Sequence, residues 1–160
     1  MFKHVLTLLL LKIPLQLIGL IVLLPTTYFY KMGSLPKYLR WFDDARGIKI
    51  REGVNCRYYF GLGHCSLYKE ANTTWLGRYN WLALRNAVNY FQTYILGKDQ
   101  DDESAWQVFK YIDIPKTQYQ LRVRVGYKVE RELGHRKKMQ ELNIPAQWVF
   151  SISLRNRKKQ

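Results

Sequence analysis

The stretch Val5–Tyr30, VLTLLLLKIPLQLIGLIVLLPTTYFY, limits what this chain can become more than any other feature. It is too apolar to lie open on a small water-exposed domain, and everything after it is ordinary in hydrophobicity and basic. Lys12 divides it. The part Ile13–Tyr30, bounded by Lys12 and Lys31, carries no charge. At ~1.5 Å per residue it extends roughly 27 Å as a helix, close to the thickness of a hydrocarbon core. That frame sets Lys12 and Lys31 at the two interfaces. It also puts Tyr28, Phe29 and Tyr30 at headgroup depth, where aromatic side chains gather. These five are the expected membrane-interface residues.

Pro14 falls in the first turn of such a helix, where its missing N–H matters least, and Pro25 predicts a kink in the last turns. Lys12, Gln16, Gly19 and Leu23 follow helical spacing as a slightly polar stripe. That stripe is either a face for a partner helix or a set of polar atoms that a single anchor tolerates. No small-x-small cleavage site follows the apolar run, which argues against a removed signal peptide. Lys31, Lys37, Arg40 and Arg46 after the span outweigh Lys3 before it. The positive-inside bias therefore predicts a single pass with the C-terminal part in the cytoplasm.

Met32–Pro36 reads as a linker, so residues 1–34 are expected to form an anchor and 35–160 one basic domain. The formal charge of +14 is spread over the whole chain. It calls for an anionic partner: lipid headgroups, nucleic acid or an acidic protein. Two cysteines, Cys56 and Cys65, are too few for a disulfide-stapled secreted scaffold, and free buried thiols are expected.

Along the domain, LPKYLRWFDD at 35–44 suits either an interfacial helix or a loop that plugs the core with Trp41. Ile48 and Ile50 alternate with Lys49 and Arg51, a strand pattern, and Cys56–Phe60 and Cys65–Tyr68 around Gly61-Leu62-Gly63 read as a hairpin. Trp81, Leu84, Val88, Phe91 and Ile95 recur at steps of three and four, predicting one amphipathic helix over 74–96. Trp106–Ile112 reads as a strand. The cleanest patterns come last. Tyr119–Val129 and Trp148–Leu154 alternate apolar with polar residues and predict antiparallel strands with one cationic face. The fold class expected is thus α+β: an N-terminal transmembrane helix, then a small antiparallel sheet packed against one amphipathic helix.

No residue set supports catalysis. Cys56, His64 and Cys65 match no zinc spacing. His64 and Cys65, as neighbours on a strand, would point to opposite faces, unsuited to a nucleophile and its base. Asp99, Asp101, Asp102 and Glu103 lack the glycine and terminal glutamate of a calcium loop. No phosphate-cradling glycine motif opens a helix, and no cofactor or metal is expected. Two binding patches remain. One is Arg78, Arg85, Asn86 and Asn89 on the outward side of the expected helix. The other is Arg122, Arg124, Lys128 and Arg155 on the outer strand face, where cations without exposed aromatics suit nonspecific anion contact rather than base reading.

LPKYLRWFDD, GRYNWLALRNAVNYFQTYILG, LRVRVGYK and AQWVFSISLR together resemble a family of small tailed-bacteriophage proteins of unknown function, often labelled membrane proteins. The similarity covers residues 35–155, and its most specific parts are Arg85-Asn86 with Asn89-Tyr90-Phe91, and Val125-Gly126-Tyr127-Lys128. The family often has a proline after the asparagine where this chain has Ala87, leaving open whether the family's helix break exists here. The resemblance implies a phage origin and an infected-bacterium setting. It brings no catalytic residue, cofactor or substrate. The expectation is a noncatalytic accessory protein at the bacterial inner membrane that meets a host or phage partner through its basic domain. A membrane-tethered nucleic-acid binder and a virion-associated component are the alternatives.

Overall fold

The structure is a computed structural model. It describes residues 2–130 and 132–156, so the end of the basic tail lies outside the described residues. The N-terminal apolar stretch forms one continuous helix in three parts: α1 (Phe2–Thr7), a π-helical turn (Leu8–Lys12) and α2 (Ile13–Phe29). Helical backbone continues through Pro25, and the hydroxyls of Thr26 and Thr27 donate back to the carbonyls of Val22 and Leu23. A seven-residue step returns to nearly the same side of an α-helix. The extra residue in the π turn lets the eight-residue step from His4 to Lys12 do the same.

That side is docked on the rest of the chain along its whole length. His4 accepts at Nδ1 from the Trp148 indole at 2.7 Å, and Lys12 Nζ donates to the Phe150 carbonyl at 3.1 Å. Phe42 lies against Gly19, where an added Cβ would meet its ring at 3.1 Å. The Tyr79 hydroxyl donates to Leu20 O, and Arg78 Nε donates to Thr27 O at 2.8 Å. Leu23 is part of the main core, with Met32, Leu35, Phe42, Tyr68, Trp81, Leu82, Val88 and Phe91. The polar stripe Lys12–Gly19–Leu23 therefore packs against this chain's own domain. The expected division near residue 34 is not a division in packing, because Leu23 and Met32 share one cluster with Leu35, Phe42 and Trp81.

After the helix, the chain turns at Gly33 (φ +82°), where a Cβ would strike the Gly47 carbonyl at 2.4 Å. A 3₁₀ turn (Lys37–Phe42) follows, and its buried plug is Phe42. Trp41 is half-exposed and lies 5.1 Å from the Phe91 ring. Next come two buried carboxylates, Asp43 at 1% exposure and Asp44 at 2%. Asp43 accepts backbone N–H bonds from Gly33, Leu35 and Asp44 at 2.8–3.0 Å. Asp44 caps α3 (Ala45–Arg51) by accepting from the N–H groups of Arg46 and Gly47.

Two expectations fail in this region for one reason. Residues 47–51 are helical, and the expected hairpin is instead α4 (Cys56–Phe60) and α5 (Leu62–Thr73). The Asp44 and Asn55 side chains cap the starts of α3 and α4 and so select helix over strand. Cys56 and Cys65 are joined in a disulfide that ties α4 to α5, so the expected free thiols are also corrected.

The helix expected over 74–96 is broken. It runs as α6 (Trp75–Tyr79) and a π turn (Asn80–Arg85), then stops. Val88 adopts φ +55°, a conformation a β-branched residue rarely takes, before a further π turn (Phe91–Ile95). The break is held from outside: Asn89 Oδ1 accepts from Ala45 N, and Tyr90 N donates to Asp43 O. The helix is thus broken here with Ala87, not a proline, following Asn86.

The sheet is three-stranded and antiparallel: β1 (Gln107–Asp113), β2 (Tyr119–Lys128) and β3 (Gln147–Asn156), with β2 central. Between β2 and β3 lies α7 (Leu133–Glu141). The fold class is α+β as expected, but the sheet's apolar face is covered differently. At one end Trp148 and Tyr127 meet His4 of the N-terminal helix. At the other end Ile112, Ile152 and Leu154 remain exposed.

Two outcomes test this core. Leu23→Ala should cost about 2–5 kcal/mol in denaturant unfolding, while Ile21→Ala on the open side of the same helix should cost well under 1 kcal/mol. Asp43 supplies a pH signature. Burial, aided by the neighbouring Asp44 charge and opposed by three backbone N–H groups, raises its pKa to about 6. A raised carboxyl stabilises the fold below its unfolded pKa and loses that contribution as pH rises through the folded one. Between pH 4 and 7 the wild type should therefore lose up to about 3 kcal/mol relative to Asp43→Asn, read from paired unfolding curves.

Candidate functional surface

The described residues present two opposed surfaces, one apolar and one cationic. The apolar one begins on the open side of the N-terminal helix. Leu6, Leu10, Ile13, Leu17, Ile21, Leu24 and Tyr28 step by four, three, four, four, three and four residues, and all are exposed, Ile21 at 77%. Every polar side chain of the helix beyond Lys3 is docked, half-buried or bonded to its own backbone. Lys3–Phe29 is the one described helix long and apolar enough to cross a membrane, with a mean hydropathy of 2.3.

Apolar exposure continues past the helix onto the sheet. Lys12 meets β3 at Phe150, and two and four residues further on Ile152 and Leu154 share the Phe150 face. Val108 and Ile112 of β1 join them through the register Val108↔Val125↔Phe150 and Ile112↔Leu121↔Leu154. All four are exposed.

The cationic surface is the other face of the same sheet. Strand alternation and register put Arg122, Arg124 and Lys128 of β2 beside Ser151, Ser153 and Arg155 of β3, and Gln107, Phe109 and Tyr111 of β1. The structure thus brings together the second expected patch. It also adds two aromatics to a face read as lacking them. The Phe109 ring lies beneath the guanidinium groups of Arg122 and Arg124, at 5.9 and 5.5 Å, and Tyr111 is exposed. The β1 alternation alone would have found them, had the register to β2 been known.

At the α7 end, this face deepens into a cleft of about 380 Å³ between β1, β2 and the start of α7. Lys128 and Glu130 line it, and Glu130 also holds Arg46 at 3.1 Å. Burial, then the nearby Arg46 charge, lower the Lys128 pKa, with Glu130 opposing.

The first expected patch is drawn into the fold. Arg78 bonds the carbonyls of Thr27 and Asn72, Asn89 holds Ala45, and Asn86 lies beside the Trp81 indole, whose N–H points at Asp44. Arg85 is exposed, its guanidinium stacked 4.6 Å from the Trp81 ring. Among the interface residues expected for a spanning helix, Tyr28, Phe29, Tyr30 and Lys31 are exposed at its C-terminal end, but Lys12 is spent on Phe150.

The described residues that the sequence offered for chemistry are not brought together in one site. Cys65 is bonded to Cys56 and offers no thiolate. His64 sits among Phe60, Tyr68 and Trp81, with its pKa lowered by burial and the Arg46 charge. In the acidic loop, Asp102 accepts from Ser104 and pairs with Lys98 at 3.4 Å. No group of three or more metal-type ligands exists among the described residues. Comparisons with protein-family models, with curated proteins and with solved structures find no match, so no relative supplies a function and the residues must carry it.

Proposed function

We propose that this protein is a noncatalytic accessory that lies on a membrane and presents a cationic surface to an anionic partner. The observation that carries it is the docked N-terminal helix. A helix apolar all round needs apolar surroundings on every side; here the core supplies one side and lipid supplies the other.

The same docking favours a helix lying in the plane of one leaflet over one that crosses. A crossing helix would carry Arg78 and the β3 segment bonded to Lys12 to membrane depth, since both are fixed alongside it, and buried charges there are costly. With the helix flat, the exposed Ile152, Leu154, Val108 and Ile112 extend the lipid contact. The cationic sheet face, on the opposite side, then looks into solvent. The phage resemblance, as an expectation, makes this a membrane of the infected bacterium and the partner a host or phage molecule.

Two peptide tags, one at each end of the full chain, separate the arrangements. Protease added to sealed vesicles should remove both tags or neither; removal of one alone would establish a crossing helix. Ile21→Glu, on the open face, should cut recovery in floated vesicles several-fold while unfolding curves shift by no more than about 0.5 kcal/mol.

The cysteines support one side of the membrane over the other. The positive flank after residue 30 argues for the cytoplasm, but that bias orients crossing segments. A helix that does not cross leaves the Cys56–Cys65 bond as the stronger indicator, and such bonds persist in oxidising compartments. Alkylation of unbroken cells should therefore leave both cysteines unlabelled until a reductant is added. Labelling without reductant would return the domain to the cytoplasmic side.

One observation favours a second reading, nucleic-acid binding at the membrane. Tyr111 stands exposed on the cationic face near Arg122, its neighbour in the β1–β2 register, and exposed aromatics among cations stack bases.

A further inference from the structure

The cleft at the α7 end of the cationic face has features that a merely solvated basic surface lacks. Arg122 and Arg124 are two residues apart on β2, side by side on one face, and the Phe109 ring beneath both holds their guanidinium planes. Gly126 places no side chain between Arg124 and Lys128, and its φ of +120° lets the Trp106 carbonyl approach where a Cβ would lie. Two carboxylates line the cleft beside these cations, Glu130 and Glu132, and Glu130 is already engaged by Arg46 and Lys128. Donors are also left over. Arg122 Nε and Gln107 Nε2 are buried without a hydrogen-bond partner, as is Ser153 Oγ, opposite Arg122 in the β2–β3 register. Buried donors without partners are rare in folded proteins, and three on one sheet face point to a group that is not part of this chain.

We infer that this cleft binds the phosphate group of a small, soluble organic phosphate. Planar guanidinium forks match phosphate oxygens two at a time, and a carboxamide donor and a lysine complete a tetrahedral anion's needs. A volume of about 380 Å³ suits a small metabolite rather than a polymer. A cation is the wrong ligand, since arginines dominate the floor. A headgroup is the wrong source, since the N-terminal helix meets the sheet on its opposite face. The lowered pKa of Lys128 agrees, because a bound anion would relieve the repulsion among Arg46, Arg124 and Lys128. This names the ligand class of the anionic partner proposed above, and it rests on that reading only in assigning the cationic face to solvent.

The test uses the full chain in neutral detergent micelles, titrated with inorganic pyrophosphate by calorimetry. Saturable binding is expected. Arg122→Gln should weaken it by about tenfold or more, and Arg122→Lys, which keeps the charge but not the fork, should lose most of the same amount. Lys110→Gln removes one charge from the opposite face and should leave affinity within about twofold. Circular dichroism of each variant shows whether the fold is kept, and Arg122→Lys keeps the test alive if Arg122→Gln does not fold. Absence of saturable binding, or an equal loss in Lys110→Gln, would overturn the inference. A drop in the Arg122→Gln variant's recovery on phosphatidylglycerol vesicles would overturn it too, by making the site a headgroup contact. Membrane recovery depends on the helix and is read separately, so failure of the cleft leaves the membrane reading standing, and the reverse holds.

Discussion

Two adjacent buried carboxylates organise the helical half of the molecule. Asp43 gathers the N–H groups of Gly33 and Leu35, which closes the turn after the N-terminal helix. Asp44 caps α3 and faces the Trp81 indole. The Asp43 carbonyl receives Tyr90 N–H, and Asn89 receives Ala45 N–H. Three segments far apart in the chain thus converge on a few polar atoms. Buried charge is costly unless its lone pairs are used, and here backbone donors use nearly all of them. The strained backbone at Val88 is tolerable because this network fixes the residues before and after it. The same charges, after burial itself, hold the Tyr68 hydroxyl pKa high, and that hydroxyl ties α5 to Met32 by donating to its carbonyl.

This network explains why the N-terminal helix is not a detachable anchor. The turn that Asp43 closes sends Met32 and Leu35 into the same core as Leu23, so the helix leaves that core already committed to lie along it. Arg78 then spends its guanidinium on the Thr27 carbonyl, which the helix end leaves open, and Tyr79 adds its hydroxyl to the Leu20 carbonyl. A helix held at His4, Lys12, Gly19, Leu23 and Thr27 has little freedom to swing away into a bilayer and leave the domain behind.

How much of this was legible in the sequence depended on how long each pattern ran. The N-terminal helix and the strands β2 and β3 carry sustained periods, and both expectations match the structure in type and position. The Ile48–Ile50 alternation spans too few residues to separate strand from helix, and the caps Asp44 and Asn55 decided it locally. Of the Trp81–Ile95 period, Trp81, Val88 and Phe91 reach the core while the break leaves Leu84 and Ile95 exposed, and periodicity alone could not register the turn at Val88. Asp43 and Asp44 gave no signal at all. A carboxylate is exposed by default, and only the fold reveals its partners. The cationic face was legible on β2 and β3 but incomplete, since Phe109 and Tyr111 join it through the β1 register.

The two faces of the sheet now argue against a simple account of the +14 charge. A basic protein with an apolar helix invites the view that charge and helix grip the same anionic membrane. Yet the helix reaches the sheet on its apolar face, through Trp148 and Phe150, while Arg122, Arg124 and Lys128 project from the other. A three-stranded sheet cannot turn both faces to one flat surface. If lipid covers the helix and the apolar face, these cations stand on the far side of the sheet, about 10 Å away, past a Debye length of ~8 Å at physiological ionic strength, where headgroup attraction is weakened. Three cations in a row on one strand repel one another and would be an unfavourable choice for mere solubility, which scattered charges serve as well. Their concentration on the solvent side, with Phe109 beneath them and unpaired donors beside them, is the arrangement of a receiving surface. The membrane, on this geometry, fixes where that surface is held and which way it points.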